Sequence, residues 1–144
     1  MPRPAAAAYV DTSYLVAAAL DERAGRVGNR LRHYRWLLAS NLLEAELRST
    51  LLRERAAGDP DSLLSSIAWV QPDRPLSREL WRIAAAGPLS GAAMWHLAHA
   101  LYLAPDGTGL DFLTLDPRQQ AAASALGFAK IEAAPARRPR PRTR

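Results

Sequence analysis

The chain has 144 residues, 49% of them hydrophobic, which suits one domain with its own core and excludes a disordered chain. It has no cysteine, so disulfides, thiolate zinc sites and a cysteine nucleophile are excluded, and any metal would be held mainly by oxygen. The net charge of +5 misleads, because Arg137, Arg138, Arg140, Arg142 and Arg144 stand in the Pro-rich end ARRPRPRTR and the rest is near neutral. Residues 1–134 therefore read as one folded domain and 135–144 as a flexible Arg/Pro-rich tail. That tail either attracts nucleic acid through phosphate neutralisation or reflects compositional drift in an arginine-heavy chain. Asp11 interrupts the apolar start and no run approaches a membrane span, so the expectation is a soluble, unprocessed, cytoplasmic protein with no membrane partner.

Short apolar runs alternate with longer helical patterns, which predicts βαβ units and a parallel sheet. Strands are expected at Ala6–Val10, Trp36–Ser40, Ile67–Val70, Phe112–Leu115 and Phe128–Ile131. Helices are expected at Ser13–Ala24, Gly25–Tyr34 and Leu42–Ala57, the last stopped by Gly58 and Pro60. Residues 61–66 suggest one more turn, followed by helices at Ser77–Ala86, Gly91–Leu103 and Gln119–Leu126. The fold class is α/β, a three-layer α/β/α domain with a mostly parallel sheet of four or five strands. Ligands of such sheets bind beyond the carboxyl ends of the strands.

Three acids stand in comparable settings, at strand ends or on the packing side of a helix. Asp11 follows the first apolar strand and precedes a helix. Asp116 ends DFLTLD, although an Asp before Pro117 equally begins a turn or caps the next helix. On the helix from Leu42, at about 100° per residue, Glu46 falls between Leu42 and Leu43 on the packing side. It has no cation at i+4, so it calls for a metal, a ligand or a raised pKa. Glu44 instead points to Arg48, a surface pair. Asp111 is assigned to the turn with Gly107 and Gly109. His96 and His99, one turn apart on a helix that is apolar nearly all round, read as packing residues, and Trp36, Trp69, Trp81 and Trp95 as core.

Four segments in order, YVDTSYLVAAAL, SNLLEAELRSTL, GAAMWHLAHAL and DFLTLDPRQ, closed by ALGF, resemble the PIN-domain ribonucleases over about residues 8–132. The resemblance is to the VapC-like toxins of bacterial type II toxin–antitoxin pairs in particular. It implies a PIN-like nuclease domain whose first acid is Asp11, with Ser13 as supporting hydroxyl. The second acid is Glu46, just before the Leu-Arg pair, and the last is Asp116, with Thr114 beside it. The third is missing: members of the family have Asp three residues before His-Leu-Ala, and here that position is Ala93. Natural decay or deliberate replacement of a toxic protein's acid would explain this, deliberate replacement being favoured. Either weakens the site, since Mg²⁺ needs near-octahedral oxygen coordination.

The resemblance further implies a metal-dependent endoribonuclease using Mg²⁺ or Mn²⁺ and acting on structured RNA such as transfer or ribosomal RNA. A small VapB-like antitoxin would be its partner, and a homodimer its possible assembly. Two rival readings remain. One is a catalytically dead PIN domain that only binds RNA or antitoxin. The other is a phospho-acceptor signalling domain, disfavoured because Lys130, the single lysine, sits away from a strand mouth and Asp11 lacks an acidic neighbour.

Overall fold

The computed structural model describes residues 5–20, 24–56 and 58–131. In chain order its elements are β1 (Ala7–Val10), α1 (Thr12–Leu20), α2 (Ala24–Arg32), β2 (Trp36–Ser40), α3 (Leu42–Arg53) and α4 (Pro60–Leu64). They continue with β3 (Ile67–Val70), α5 (Ser77–Ala86), α6 (Gly91–Leu103), β4 (Leu110–Leu113) and α7 (Pro117–Ala125). The strands form a four-stranded, all-parallel sheet in the order β3-β2-β1-β4, with Ala7 opposite Trp36 on one side and Leu110 on the other.

The two-residue alternation of the strands builds two cores. Ala8, Val10, Leu37 and Ala39 face α1, α2, α3 and α4 together with Leu15, Leu31, Leu43 and Leu47. Tyr9, Leu110 and Phe112 face the other way, against Ile83 of α5, Leu97 and Leu101 of α6 and Ala123 of α7. The result is the expected α/β/α sandwich. All strands are parallel, so their carboxyl ends, Val10, Ser40, Val70 and Leu113, share one edge. Chain order runs from β1 through β2 to β3 and then crosses back to β4 beside β1. The helix after β1 lies on one face and the helix after β4 on the other, which opens a crevice between these two strand ends.

Several expectations need correction. Residues 128–131 form no strand; Phe128 is buried against Phe112 instead, with ring centroids 5.9 Å apart. The fourth strand lies two residues earlier than expected, so Asp111 is inside β4 opposite Ala8, buried, and accepts from the Tyr34 hydroxyl at 2.7 Å. Helix α3 ends at Arg53 because Arg55 takes φ 48°. The Arg55 N–H then returns to the Leu52 carbonyl at 3.2 Å and the Ala56 N–H to that of Leu51 at 3.1 Å, a Schellman closure. None of the four tryptophans belongs to the core: Trp36, Trp69, Trp81 and Trp95 are 54, 37, 79 and 39% exposed. The Arg/Pro-rich tail lies outside the described residues.

Candidate active site

Asp11 is the first residue beyond β1. Its own N–H pairs with the Leu113 carbonyl at 2.9 Å, so the ends of β1 and β4 are locked side by side. The carboxylate is buried and well supplied with donors. Oδ2 accepts from the Ser13 hydroxyl at 2.6 Å and the Ser13 N–H at 3.1 Å, and Oδ1 from the Gln119 amide at 3.2 Å. The Ser13 oxygen in turn accepts from the Leu115 N–H at 3.1 Å, a second tie between the two strand ends.

Gln119, on the buried face of α7, is fully used. Its amide nitrogen also donates to the Ala93 carbonyl at 3.1 Å, and its oxygen accepts from the Thr114 hydroxyl at 2.6 Å. Thr114 therefore reaches Asp11 mainly through Gln119, its direct distance to Oδ2 being 3.4 Å. One side chain thus joins α7, α6 and the ends of β1 and β4. Sequence reasoning missed it, because a glutamine on a helix carries no signal until its neighbours are known.

Glu46, on the second turn of α3, does have a partner, contrary to the expectation from its own helix. Oε1 accepts from the Thr12 hydroxyl at 2.8 Å and lies 2.7 Å from His96 Nε2. The hydrogen bond from His96, aided by that from Thr12, holds the carboxyl below its ordinary pKa against the opposing effect of burial. His96 comes from α6, on the opposite face of the sheet, which is why a wheel of α3 alone cannot find it. His99 is a packing residue as expected. Its ring lies against Trp95 at 4.6 Å, Nδ1 sits 2.7 Å from the Trp95 carbonyl, and burial pushes its pKa down.

Asp116 lies between β4 and α7 and caps the helix: Oδ1 accepts from the Arg118 N–H at 2.9 Å. The capping alternative is therefore realised, and the same side chain still faces the crevice. Ala93 is the third residue of α6, buried, with its N–H capped by the Ser90 hydroxyl at 3.2 Å.

Asp11, Glu46, Ala93 and Asp116 line one cavity of about 550 Å³ at the carboxyl edge of the sheet, together with Ser13, Thr12, His96, Gln119 and Arg53. Thr114 stands just behind it. Among the described residues no group of three or more His, Asp or Glu side chains is gathered closely enough to hold a metal ion together. Three carboxylates among the hydroxyls of Thr12, Ser13, Ser49, Thr50 and Ser90 nonetheless make an oxygen-rich lining, the chemistry of a hard dication that keeps most of its waters and takes only one or two protein ligands. The residues present fit such a loosely held, hydrated ion and not a closed cage. Lys130 lines a different hollow, with Tyr14, Val27 and Ile131, so it does not serve Asp11 as a phospho-acceptor domain's lysine would.

No helix among the described residues is long and apolar enough to cross a membrane. No curated protein and no solved structure matches the chain. The PIN domain family matches it over residues 8–125, from the second residue of β1 to the last of α7, so this chain belongs to the PIN-domain family.

Proposed function

We propose that this PIN domain is built as a metal-dependent endoribonuclease of the VapC-like toxin kind, and that Ala93 leaves it weakened or inactive. The observation that carries the reading is the meeting of Asp11, Glu46 and Asp116, from three distant segments, around one cavity at the crevice between β1 and β4. Mg²⁺ or Mn²⁺ held by these acids would supply an acidified water and a counter-charge to a phosphate. Ser13 and Gln119 orient Asp11, Thr12 and His96 orient Glu46, and the guanidinium of Arg53 on the cavity wall offers a cation to a phosphodiester. Hydrolysis would place water on phosphorus and release the 3′ oxygen, leaving a 5′-phosphate end. The substrate is structured RNA, transfer or ribosomal, and the partner is a VapB-like antitoxin that blocks the cleft; a homodimer is the proposed assembly.

Restoring the missing acid tests this. Ala93→Asp is expected to cleave RNA in Mn²⁺, and Asp11→Asn in that background is expected to abolish cleavage. An Ala93→Asp protein that melts cooperatively, binds Mn²⁺ and leaves total RNA intact would refute the nuclease reading. The absence of a three-ligand cluster among the described residues favours a second one, a PIN domain that binds RNA or antitoxin without cutting. Retention of RNA by both proteins with cleavage by neither supports it.

A further inference from the structure

His96 is buried at 1% exposure, and both its ring nitrogens are engaged. Nε2 lies 2.7 Å from Glu46 Oε1 and 3.1 Å from the Thr12 oxygen, and Nδ1 lies 2.8 Å from the hydroxyl of Tyr9. The Tyr9 ring is itself fully buried, stacked on Phe112 with centroids 5.7 Å apart and 8° between planes. Its oxygen receives the backbone N–H of Ser40, at the end of β2, at 3.0 Å.

These contacts favour one set of proton positions over the others. The Ser40 N–H only donates, so it occupies a lone pair of the Tyr9 oxygen and leaves the phenol hydrogen free. With the hydrogen of His96 on Nδ1, the phenol hydrogen would be left the Ser40 hydroxyl as its acceptor, and the Nε2 lone pair would face a carboxylate at 2.7 Å. With the phenol donating to Nδ1, the phenol and both ring nitrogens are satisfied and the imidazole hydrogen sits on Nε2, aimed at Glu46. Burial, which pushes the Tyr9 pKa up, keeps the phenol protonated for this task.

We propose that Tyr9 and His96 are positioning residues for Glu46, joined in a directional chain from the Ser40 N–H through the Tyr9 hydroxyl to His96 Nδ1 and from Nε2–H to Oε1. The chain fixes the imidazole tautomer and, with Thr12, brings both donors onto one oxygen of Glu46. It starts on the sheet and crosses from the α6 layer to the α3 layer, so the carboxylate is placed by the core and not by its own helix alone. The Ser40 hydroxyl, buried beside Tyr9 and without a partner, is the one competing acceptor for the phenol hydrogen.

The test is the tautomer itself, read by ¹⁵N-imidazole NMR on the protein at neutral pH, with His96 signals assigned by their loss in His96→Gln. A pyrrole-type Nε2 and a pyridine-type Nδ1 are expected. Tyr9→Phe should lose that preference and Ser40→Ala should keep it. Protonation at Nδ1, alone or with Nε2, or an unchanged pattern in Tyr9→Phe, overturns the proposal. Its service to metal rests on the nuclease reading, and Mn²⁺ titration of the Ala93→Asp protein examines that separately. Adding Tyr9→Phe should weaken Mn²⁺ binding roughly 10-fold or more, as loss of a group that orients a ligand does. Equal Mn²⁺ affinity with and without the phenol overturns the positioning role. Failure of Ala93→Asp to bind Mn²⁺ at all sinks the nuclease reading and leaves the tautomer result standing.

Discussion

Position 93 is the residue on which the proposed activity turns. An aspartate there would be the third residue of α6, where the helix N-terminus favours an acid by about 0.3–1 kcal/mol. It would also crowd against the buried Asp11 carboxylate across Gln119, and like charges in one cleft repel. Crowding from several carboxylates outweighs one helix end, so Ala93→Asp is expected to melt lower without metal. It should also gain more from Mn²⁺ than the present chain does, as binding to the folded state alone requires. Calorimetric melts with and without Mn²⁺ check both. Gln119 gives a second prediction. Replacing it with Leu leaves the Asp11 oxygen, the Ala93 carbonyl and the Thr114 hydroxyl short of a partner, each worth about 1–3 kcal/mol when buried. Denaturant unfolding should show a loss at the upper end of that range or above. At this scale the sequence was half legible. Asp11 and Glu46 stand out as polar groups in apolar settings and Asp116 as one of two readings, Ser13 enters through the family resemblance, and the roles of His96, Tyr9 and Gln119 arise only from contacts across 50 to 108 positions of chain.

At the scale of elements, the ends are where expectation and structure part. Ile67–Val70, Trp36–Ser40, Ser77–Ala86 and Gly91–Leu103 fall where hydrophobic period and punctuation put them. Helix α3 stops short because Arg55 enters the left-handed region, which no sequence signal for a non-glycine residue foretells. That conformation costs an L-residue about 1–2 kcal/mol, while glycine adds unfolded-state entropy of about 0.4–1 kcal/mol. Relief of strain is the larger effect, so Arg55→Gly should stabilise the exposed helix end by up to about 1 kcal/mol, measurable by urea denaturation. The turn before β4 behaves in the opposite sense. Gly107 and Gly127, at φ 77° and 107°, lie backbone to backbone, and a Cβ on Gly127 would strike the Asp106 carbonyl. Gly127→Ala should therefore lower stability by at least the roughly 1–3 kcal/mol of a strained backbone site.

For the whole molecule, the three-layer plan was readable because alternating strands and helices leave a parallel sheet little choice. The tryptophans were misjudged because an apolar element still has a solvent side in a chain this small, as Trp81 on the outer face of α5 illustrates. The acid limit of stability is set in part by Glu79, buried in the first turn of α5 and gripped by Arg74 through two contacts of 2.5 and 3.1 Å. That hydrogen bonding holds its pKa below the ordinary 4.5. A carboxyl depressed in the folded state contributes stability above its unfolded pKa and loses it as pH falls through the folded value. Glu79→Gln should therefore cost stability at pH 7, and the gap to the parent should close below about pH 4.5 as carboxylates protonate. A pH series of thermal melts decides it.

The crevice draws its walls from helices on opposite sides of the sheet, α1 and α3 on one and α6 and α7 on the other. Whatever occupies it acts as a rivet through both layers. Slowed amide exchange should then spread to both helical layers at once, and protection confined to one side would show that the occupant sits elsewhere.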